Sequence, residues 1–428
     1  MRAAVLEKFD SPLVEQDVDI SDVGPDEVLV RVVASGICHS DRSAHVGAQD
    51  RPLPLILGHE ASGVVMRVGA DVRSVQPGDH VVGSASAHCG VCAYCLRGLT
   101  QHCVDKGVAR VGGPPRLSRA GNEVHPFVGL GGFATHMLVS ERAVVRLPGE
   151  MPLDKAALLG CAVLTGVGAV RNRARVAAGE TVAIIGCGGV GLNAIQAARL
   201  VGASRVIAVD LNPAKLERAR QFGATDVVDA SQADPVDSVL TLTGGGVDHA
   251  LEIVGRGSTV EQAFAMTGVR GTTTVVGVAR PDDIARLPPV IFMATEKRVQ
   301  GSRMGSGNFR LDVPLYCDMY LRGQLKLDEL ISEVIDLSEV NRGLTELDGS
   351  DGARSVISFY LPSADPAVRT WAATQWSQGP RQQQKRKYCS GYSGESGLAV
   401  DPAHFSSTYP KRIVPMEHWA GYNRPNVP

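Results

Sequence analysis

The fold is decided by residues 181–203, TVAIIGCGGVGLNAIQAARLVGA. The first five residues form a short apolar run typical of a buried strand, whereas residues 190–203 carry apolar side chains at a helical period. Between these segments Gly186, Gly188 and Gly191 follow the spacing G-x-G-x-x-G. The stretch therefore predicts a strand that turns sharply into a helix.

This turn is predicted to bind a dinucleotide. Gly186 permits the tight turn, Gly188 lets the backbone approach a pyrophosphate, and Gly191 allows the helix to pack closely on the strand. The next β-like run, RVIAVD, ends at Asp210, 19 residues after Gly191, where a carboxylate accepts hydrogen bonds from the adenosine ribose. Because Asp210 would repel a 2′-phosphate, the sequence favours NAD over NADP. A glycine-rich turn in a nucleotide-free α/β fold is the alternative.

The surrounding segments indicate two kinds of domain. From about residue 176 to about residue 300, β-like runs and helical runs alternate, which predicts a doubly wound parallel sheet. Residues 1 to about 150 contain β-like runs such as DEVLVRVVASG and ASGVVMRV, separated by Gly and Pro turns, and predict a mainly antiparallel, barrel-like domain. The late run ARSVISFYL predicts a strand that rejoins this first domain and makes it discontinuous.

Composition and charge exclude several classes of partner. The 428-residue chain has a formal net charge of −2 and 44% hydrophobic residues, so it lacks the basic field on which nucleic-acid binding depends. No apolar run reaches the roughly 18 residues that a membrane span requires, and the opening MRAAVLEKFD lacks the apolar core of a secretory signal. We expect a cytoplasmic protein without nucleic-acid or membrane partners. Its nine cysteines are then expected to be metal ligands or buried thiols rather than disulfides.

The last segment, residues 363–428, differs from the rest of the chain. All three tryptophans and four of the eight tyrosines fall in it, and runs such as RQQQKRKYCSGYSGESG have low apolar content and no regular period. This composition predicts a disordered tail or an extraneous extension.

Four cysteines are concentrated in one loop, HCGVCAYCLRGLTQHC. Cys89, Cys92, Cys95 and Cys103 have the spacing C-x2-C-x2-C-x7-C, and four thiolates in so short a loop can close a tetrahedron around zinc. No coordination position would remain for water, so the predicted site is structural. An iron–sulfur cluster and free thiols are the alternatives, because four thiolates alone do not separate zinc from iron.

Three further candidate ligands are dispersed along the chain: Cys38 in GICHSD, His59 in GHE and Cys161 in GCAVLTGVGAV. Two thiolates, one imidazole and an open fourth position are what a catalytic zinc requires to bind an alcohol oxygen. Taken singly, each residue also has the features of a buried thiol or a hydrogen-bonded core histidine. Sequence spacing alone does not connect them.

The motifs occur in the order found in one protein family. GICHSD, GHEASGVV, the four-cysteine loop, GCAVLTGVGAV, GCGGVG and the closing ARSVISF resemble the zinc-dependent medium-chain alcohol dehydrogenases, from about residue 1 to 361. The resemblance implies an α/β plus β architecture with two domains. The first is a discontinuous GroES-like, mainly-β catalytic domain in residues 1–162 and 302–362, which contains the structural zinc loop at 89–103. The second is a doubly wound Rossmann NAD-binding domain in residues 163–301.

The resemblance also implies roles for the residues around the metal. The three ligands of a catalytic zinc are matched by Cys38, His59 and Cys161. Two neighbouring carboxylates are matched as well: Asp41, which is expected to orient the His59 ring, and Glu60, which is expected to lie behind the metal.

Other matched residues would move the substrate proton or bind NAD. Ser40 matches the hydroxyl that accepts this proton. The expected NAD contacts are His39 and Arg354 at the pyrophosphate, Thr165 and Val190 at the nicotinamide, and Lys215 near the adenosine ribose. Many relatives have a histidine five residues after the first zinc ligand, but this chain has Ser43, so we expect the proton to leave through Ser40, the NAD ribose and water. A relay role for His45, two residues further on, is the alternative, but His45 is expected to be a solvated loop residue.

The resemblance therefore implies an enzyme with zinc (one catalytic and one structural ion) and NAD, which converts a primary or secondary alcohol into an aldehyde or ketone. The alternatives are a thiol-adduct-dependent formaldehyde dehydrogenase, a nicotinoprotein with permanently bound NAD, and a non-catalytic NAD-binding protein on the same fold. In relatives an edge strand of the parallel sheet, here GTTTVVGVA or a nearby segment, pairs across a dimer. A homodimer or homotetramer is therefore expected.

Overall fold

The computed structural model describes residues 1–49, 51–108, 110, 113–347 and 354–359. The described residues all fall within one compact unit, Met1–Leu361. The predicted tail, residues 363–428, lies outside the described residues. The domain boundaries within this unit stay predictions.

The first part of the chain is mainly β-structure. Its strands are β1 (Arg2–Leu6), β2 (Val14–Asp17), β3 (Asp19–Ile20), β4 (Glu27–Gly36), β5 (Leu55–Ile56), β6 (Glu60–Val68), β7 (His80–Gly83), β8 (Leu117–Arg119), β9 (Asn122–Glu123), β10 (His125–Pro126), β11 (His136–Ser140) and β12 (Val144–Arg146). Its helices are α1 (His39–His45), α2 (Ala93–Leu96), α3 (Leu153–Ala156) and α4 (Ala162–Gly168). The valine-rich β4 is almost wholly buried, because β-branched side chains pack well on a pleated surface.

The predicted parallel sheet follows. Its strands are β13 (Thr181–Ile185), β14 (Arg205–Asp210), β15 (Asp226–Asp229), β16 (Val247–Glu252), β17 (Thr267–Val275) and β18 (Arg298–Gly301). The helices are α5 (Gly189–Leu200), α6 (Pro213–Gln221), α7 (Pro235–Thr243), α8 (Gly257–Met266) and α9 (Pro289–Thr295). All neighbouring strands are parallel, in the order β15-β14-β13-β16-β17-β18. Because the strand order reverses at β13, its carboxyl end opens on a crevice.

One edge of this sheet differs from the expectation. The run GTTTVVGVA, residues 271–279, begins within β17, which is paired on both sides, by β16 and by β18. The edge strand is therefore β18. Its sequence, RVQG, is short and half polar, so it lacks the apolar pattern by which the other strands are predicted.

The chain then returns to its first part through α10 (Phe309–Leu321), β19 (Ile331–Ile335), α11 (Val340–Glu346) and β20 (Arg354–Ser358). One edge of β4 pairs with β6. On its other edge, residues 27–31 of β4 pair with β11 and residues 34–36 of β4 pair with β20. Because β20 runs antiparallel to β4, its first residue lies opposite the segment that follows β4. That placement brings Arg354 to Cys38.

The two parts meet where α4 crosses α5. Gly166 permits the crossing, because a Cβ there would collide with the backbone oxygen of Val190. Buried residues from both parts, such as Val82 and Leu192, belong to one continuous core. Cys161, directly before α4, is therefore held at the junction.

No single helix in the described part of the chain is long and apolar enough to cross a membrane. Leu153–Gly160 and Ala162–Ala174, which are bent by 54° relative to each other, meet that test only as a pair.

Candidate active site

Three predicted zinc ligands and a carboxylate converge at the junction between the two parts. Cys38 directly precedes α1, His59 directly precedes β6, Glu60 is the first residue of β6, and Cys161 directly precedes α4. Their ligand atoms all lie within 4.8 Å of one another, and all four residues are buried. The fold thus gathers side chains that are far apart in the sequence.

Asp41 orients two of these residues. Its buried carboxylate accepts hydrogen bonds from the backbone N–H groups of Cys38 (3.0 Å) and Gly58 (2.9 Å) and from His59 Nδ1 (2.9 Å). His59 Nε2 is buried and has no hydrogen-bond partner among the described residues. Burial lowers the pKa of His59. The Asp41 carboxylate raises this pKa by more than burial lowers it, so the pKa lies well above its ordinary value. A metal ion would take the place of the proton on Nε2.

Arg354 joins the cluster from β20. Its Nη2 donates to Cys38 Sγ at 3.3 Å, and its Nε lies 3.5 Å from Glu60 Oε2. Glu60 Oε1 accepts a hydrogen bond from the Ala162 backbone N–H at 3.2 Å. Burial raises the pKa of Glu60 to about 7, although the charge of Arg354 opposes that shift. The guanidinium thus balances negative charge among buried side chains.

The two thiols of the cluster differ in acidity. Hydrogen bonding to Cys161 lowers the pKa of Cys38 well below its ordinary value in spite of burial, and Arg354 adds to this effect. The hydrogen bond to Cys38, together with burial, raises the pKa of Cys161. Cys38 is therefore the more acidic thiol of the pair, and a cation bound by both would displace their protons. Two thiolates and an unpartnered imidazole nitrogen are a donor set that zinc prefers, so these residues fit a zinc ion.

The four-cysteine loop forms the other candidate metal cluster among the described residues. The Sγ atoms of Cys92 and Cys95 are 3.5 Å apart, and the pairs Cys89–Cys95 and Cys92–Cys103 are 3.9 Å apart. Sulfurs on a tetrahedral zinc, with bonds of about 2.3 Å, are about 3.8 Å apart. The separations therefore suit a tetrahedral ion closed by four thiolates.

The turn between β13 and α5 is tight on one side and open on the other. Gly186 has a φ of +96°, a conformation that glycine adopts without steric cost. A Cβ at Gly191 would collide with the Gly186 backbone oxygen, whereas a Cβ at Gly188 would have no heavy atom within 4 Å. The open side faces the N-terminus of α5, where backbone N–H groups attract a phosphate.

Two charged residues flank this turn. Asp210, at the end of β14, accepts hydrogen bonds from the backbone N–H groups of Cys187 (2.8 Å) and Asn212 (3.0 Å). On the other flank, a Cβ at Gly189 would come within 2.9 Å of Arg354 Cζ, so the guanidinium lies against the first turn of α5. The same arginine therefore contacts both the metal cluster and the glycine-rich turn.

Comparison with known proteins gives consistent matches. The chain matches the family models described as alcohol dehydrogenase GroES-like domain, over residues 24–149, and zinc-binding dehydrogenase, over residues 189–319. It is 37% identical over 350 residues to alcohol dehydrogenase 2 of Zea mays, covering 79% of this chain and 92% of that protein. It is 35% identical over 369 residues to S-(hydroxymethyl)glutathione dehydrogenase of Synechocystis sp., covering 84% of this chain and 99% of that protein.

Solved structures agree with these matches. An alcohol dehydrogenase zinc-binding domain protein from Burkholderia ambifaria is 34% identical, with a TM-score of 0.80, and benzyl alcohol dehydrogenase from Acinetobacter calcoaceticus is 32% identical, with a TM-score of 0.78. Each comparison covers 83% of this chain and 98% of the other. The chain belongs to the zinc-dependent medium-chain alcohol dehydrogenase family. It is therefore an oxidoreductase with zinc and NAD as cofactors, and the predicted GroES-like and Rossmann architecture is confirmed.

The other predicted site residues lie around the two clusters and the turn. His39 and Ser40 open α1, Val190 lies in the first turn of α5, and Lys215 lies in the first turn of α6. Thr165 lies in α4, and its buried Oγ1 has no hydrogen-bond partner among the described residues. Their contacts with substrate and NAD stay predictions.

The expectation for His45 was wrong. This residue is the half-buried last residue of α1 and is not in a solvated loop. Its Nε2 lies 2.8 Å from the Ser11 backbone oxygen, and its Nδ1 lies 2.8 Å from Arg42 Nη1. Both ring nitrogens are engaged, which gives a structural reason to leave His45 out of the proton relay.

Two residues beside His59 have no sequence signal of their own. The Phe127 ring meets the His59 ring edge to face, with 5.5 Å between centroids and an interplanar angle of 80°. The Arg51 guanidinium carbon lies 5.4 Å from the Phe127 ring centroid. Neither residue belongs to a metal or dinucleotide motif, and no sequence pattern marks either of them.

Proposed function

We propose that this dehydrogenase oxidises a primary or secondary alcohol to the aldehyde or ketone at the cluster of Cys38, His59 and Cys161. The convergence of these buried ligand atoms carries the proposal. Arg354 supports it, because one side chain links the cluster to the glycine-rich turn. When bound, zinc supplies a Lewis acid that lowers the pKa of an alcohol, and NAD supplies the hydride acceptor.

The residues around the cluster hold the ion and fix its surroundings. Cys38, His59 and Cys161 would be its ligands. Asp41 would keep the His59 ring and the Cys38 backbone in position, since it bonds to both. Glu60 would lie behind the ion, and its pairing with an arginine keeps a buried carboxylate compensated.

Proton removal is assigned to Ser40, in the first turn of α1 directly after the ligand segment. Its hydroxyl would accept the proton of the alcohol and pass it to the NAD ribose and water. Ser43 stands where a histidine would extend the relay, and His45 is engaged elsewhere. The proton would therefore reach solvent without a histidine.

The NAD site is proposed at the turn between β13 and α5. The open space at Gly188 would admit the pyrophosphate, with Arg354 beside it. Asp210 would bind the adenosine ribose, and the unpaired hydroxyl of Thr165 is available to the nicotinamide amide. The remaining proposed contacts are His39, Gly186, Val190, Gly191 and Lys215.

A second zinc ion is proposed at Cys89, Cys92, Cys95 and Cys103. Four sulfurs at tetrahedral spacing leave no position for water or substrate. The ion would therefore hold the loop together and take no part in the reaction.

One other function is favoured by a specific observation. The similarity to the protein named S-(hydroxymethyl)glutathione dehydrogenase extends over 84% of this chain. If this chain acts in the same way, the hydroxyl that binds at the cluster is that of a formaldehyde–thiol adduct. The same residues would serve, and only the substrate would change.

We also propose a homodimer that forms through β18 and α9. β18 is an edge strand, which presents unpaired backbone groups on its outer side. No residue of α9 is buried, and its Val290 and Met293 are 64% and 76% exposed. A second copy related by a two-fold axis would pair the strands and cover this apolar face.

Zinc analysis combined with activity measurements tests the proposed function. The wild type is expected to hold two zinc ions per chain and to reduce NAD in the presence of simple primary or secondary alcohols. Cys161→Ser removes one ligand with little change in volume, so this variant should hold one zinc ion and lose most of the activity. Two zinc ions per chain in the variant would contradict the ligand assignment. Formaldehyde oxidation that requires added thiol, without turnover of simple alcohols, would favour the second function.

A further inference from the structure

A short segment leads from the core of the first part into the four-cysteine loop. β7 ends at Gly83, and Cys89 is the first of the four cysteines. Residues 84–88 lie between them and are called the linking segment below. Ser84 and Ser86 of this segment are 1% and 2% exposed, so the segment begins within the core.

The first residue of the linking segment holds the backbone beside Cys161. Ser84 Oγ donates a hydrogen bond to the Gly160 backbone oxygen at 3.0 Å. The two backbones also touch, because a Cβ at Gly160 would come within 2.2 Å of the Gly83 backbone oxygen. The Gly160 oxygen belongs to the peptide group that joins Gly160 to Cys161. Ser84 therefore fixes the peptide group from which this proposed zinc ligand projects.

A lysine ties the linking segment to the four-cysteine loop. Lys106 Nζ donates hydrogen bonds to the backbone oxygens of Ala85 and Gln101, each at 3.3 Å. Gln101 lies two residues before Cys103, and the Cys89 backbone N–H donates to Cys103 Sγ at 3.2 Å. The described residues offer Lys106 no acidic partner, so these carbonyl groups hold its ammonium group. A displacement of the four-cysteine loop would therefore displace the linking segment as well.

Cys161 is the proposed ligand that needs this support. Asp41 bonds to the Cys38 backbone and to the His59 ring, but in the described part of the chain it makes no hydrogen bond to Cys161. Residues one step away from a metal set its affinity through the position of its ligands. Ser84 serves Cys161 in the way that Asp41 serves the other two ligands.

We propose that the linking segment couples the two metal sites, with Ser84 as the positioning residue for Cys161. While the four-cysteine loop is closed, Lys106 and Cys89 fix the segment, and Ser84 keeps Cys161 where it can bind zinc. Opening of the loop lowers the zinc affinity of the Cys161 cluster without a change in any of its ligands. This inference rests on the proposed function, because it takes Cys161 to be a zinc ligand.

Chelator competition tests the role of Ser84. The proteins are dialysed against increasing chelator concentrations, and the difference in bound zinc between the wild type and Cys161→Ser identifies the ion at the Cys161 cluster. Ser84→Ala should weaken zinc binding at this cluster about three- to tenfold, which corresponds to one lost hydrogen bond. The four-cysteine loop should retain its zinc.

A second buried serine provides the matched control. Ser62 Oγ also donates to a backbone oxygen of the stretch before α4, but this oxygen belongs to Leu153, eight residues before Cys161. Ser84→Ala and Ser62→Ala should both lower the melting temperature of the zinc-free protein, because each leaves a buried oxygen without its donor. Only Ser84→Ala should weaken zinc binding at the Cys161 cluster.

A double-mutant cycle tests the coupling. Lys106→Met releases the linking segment from the four-cysteine loop and leaves every proposed ligand in place. It should weaken zinc binding at the Cys161 cluster, and the double variant with Ser84→Ala should lose less affinity than the product of the two single effects, because both changes release the same segment. Lys155→Met, at a lysine that is ion-paired with Asp154, is the control and should keep the wild-type affinity.

Several results would overturn the inference. They are wild-type zinc affinity of the Cys161 cluster in Ser84→Ala or in Lys106→Met, an equal loss of affinity in Ser62→Ala, and independent effects in the double variant. The proposed function fails separately. A wild type that holds two zinc ions but oxidises no alcohol would contradict that function, and the zinc affinities would still decide whether Ser84 positions Cys161.

Discussion

A single buried carboxylate controls two of the three proposed zinc ligands. Asp41 bonds to the backbone of Cys38 and to the ring of His59, so it sets the start of α1 and the rotation of the imidazole together. This bond occupies Nδ1 of His59, whereas Nε2 has no hydrogen-bond partner among the described residues. At the scale of single residues, the preorganisation of the site therefore depends on hydrogen bonds one step away from the ion.

Asp41→Asn tests this dependence. The amide replaces one acceptor oxygen by a donor, so at least one of the three N–H groups loses its partner. Affinity for the zinc at Cys38, His59 and Cys161 is expected to fall 10- to 100-fold, and the four-cysteine zinc should be retained. The amount of zinc retained after dialysis against increasing chelator concentrations measures the affinity of both sites. Asp336→Asn, at a residue that caps the short helix Leu337–Glu339, is the control, and equal chelator sensitivity of the two variants would contradict the role of Asp41.

Cofactor choice is also expected to depend on one residue, Asp210. Asp210→Ala removes the charge that would repel a 2′-phosphate, so the ratio of kcat/KM with NADP to that with NAD should rise. NAD turnover itself should fall, since Asp210 also bonds to the Cys187 and Asn212 backbone. Steady-state kinetics with both cofactors gives the ratio. Asp229→Ala, at the end of neighbouring β15, should leave it unchanged, and an unchanged ratio in Asp210→Ala would remove the proposed ribose contact.

At the scale of elements, the turn between β13 and α5 separates the requirements of folding from those of binding. Gly191 faces the Gly186 backbone oxygen, where no side chain fits, whereas Gly188 faces open space. Gly188 also has a φ of −75°, which any residue can adopt. The motif therefore contains one glycine that the fold requires and one that the described contacts of the fold do not require.

Two alanine substitutions distinguish these glycines. Gly191→Ala should lower the melting temperature, because relief of the backbone clash costs about 1–3 kcal/mol. Gly188→Ala should keep the melting temperature of the ligand-free protein but weaken NAD binding, since the methyl group takes the space proposed for the pyrophosphate. Thermal melts and calorimetric titration with NAD measure the two effects. Wild-type NAD affinity in Gly188→Ala would place the pyrophosphate elsewhere.

At the scale of the whole molecule, the features that were predictable from the residues alone are local ones. The glycine-rich turn and the four-cysteine loop each lie within a short segment, and the alternation of strands and helices indicated the parallel sheet. The meeting of Cys38, His59 and Cys161 depends on contacts between distant elements and was predicted only through the family resemblance. The contact of Arg51 with Phe127 depends on packing that no periodicity records.

The return of the chain couples the two parts of the molecule. β20 completes the sheet of the first part by pairing with β4, and this pairing positions Arg354 between the metal cluster and the first turn of α5. One strand near the end of the described chain thus aligns the two proposed cofactor sites. The parallel sheet, in contrast, ends at β18 with its outer edge unpaired in one chain.

That edge leads to a prediction about assembly. Light scattering of the wild type on a sizing column should give a mass of at least two chains. Met293→Lys places a charge on the exposed face of α9 and should shift the mass toward one chain, because a buried unpaired charge is costly at an interface. Leu311→Lys, at a 71% exposed position on α10 outside this face, is the control and should keep the wild-type mass. A monomeric wild type, or equal dissociation of both variants, would rule out an interface at β18 and α9.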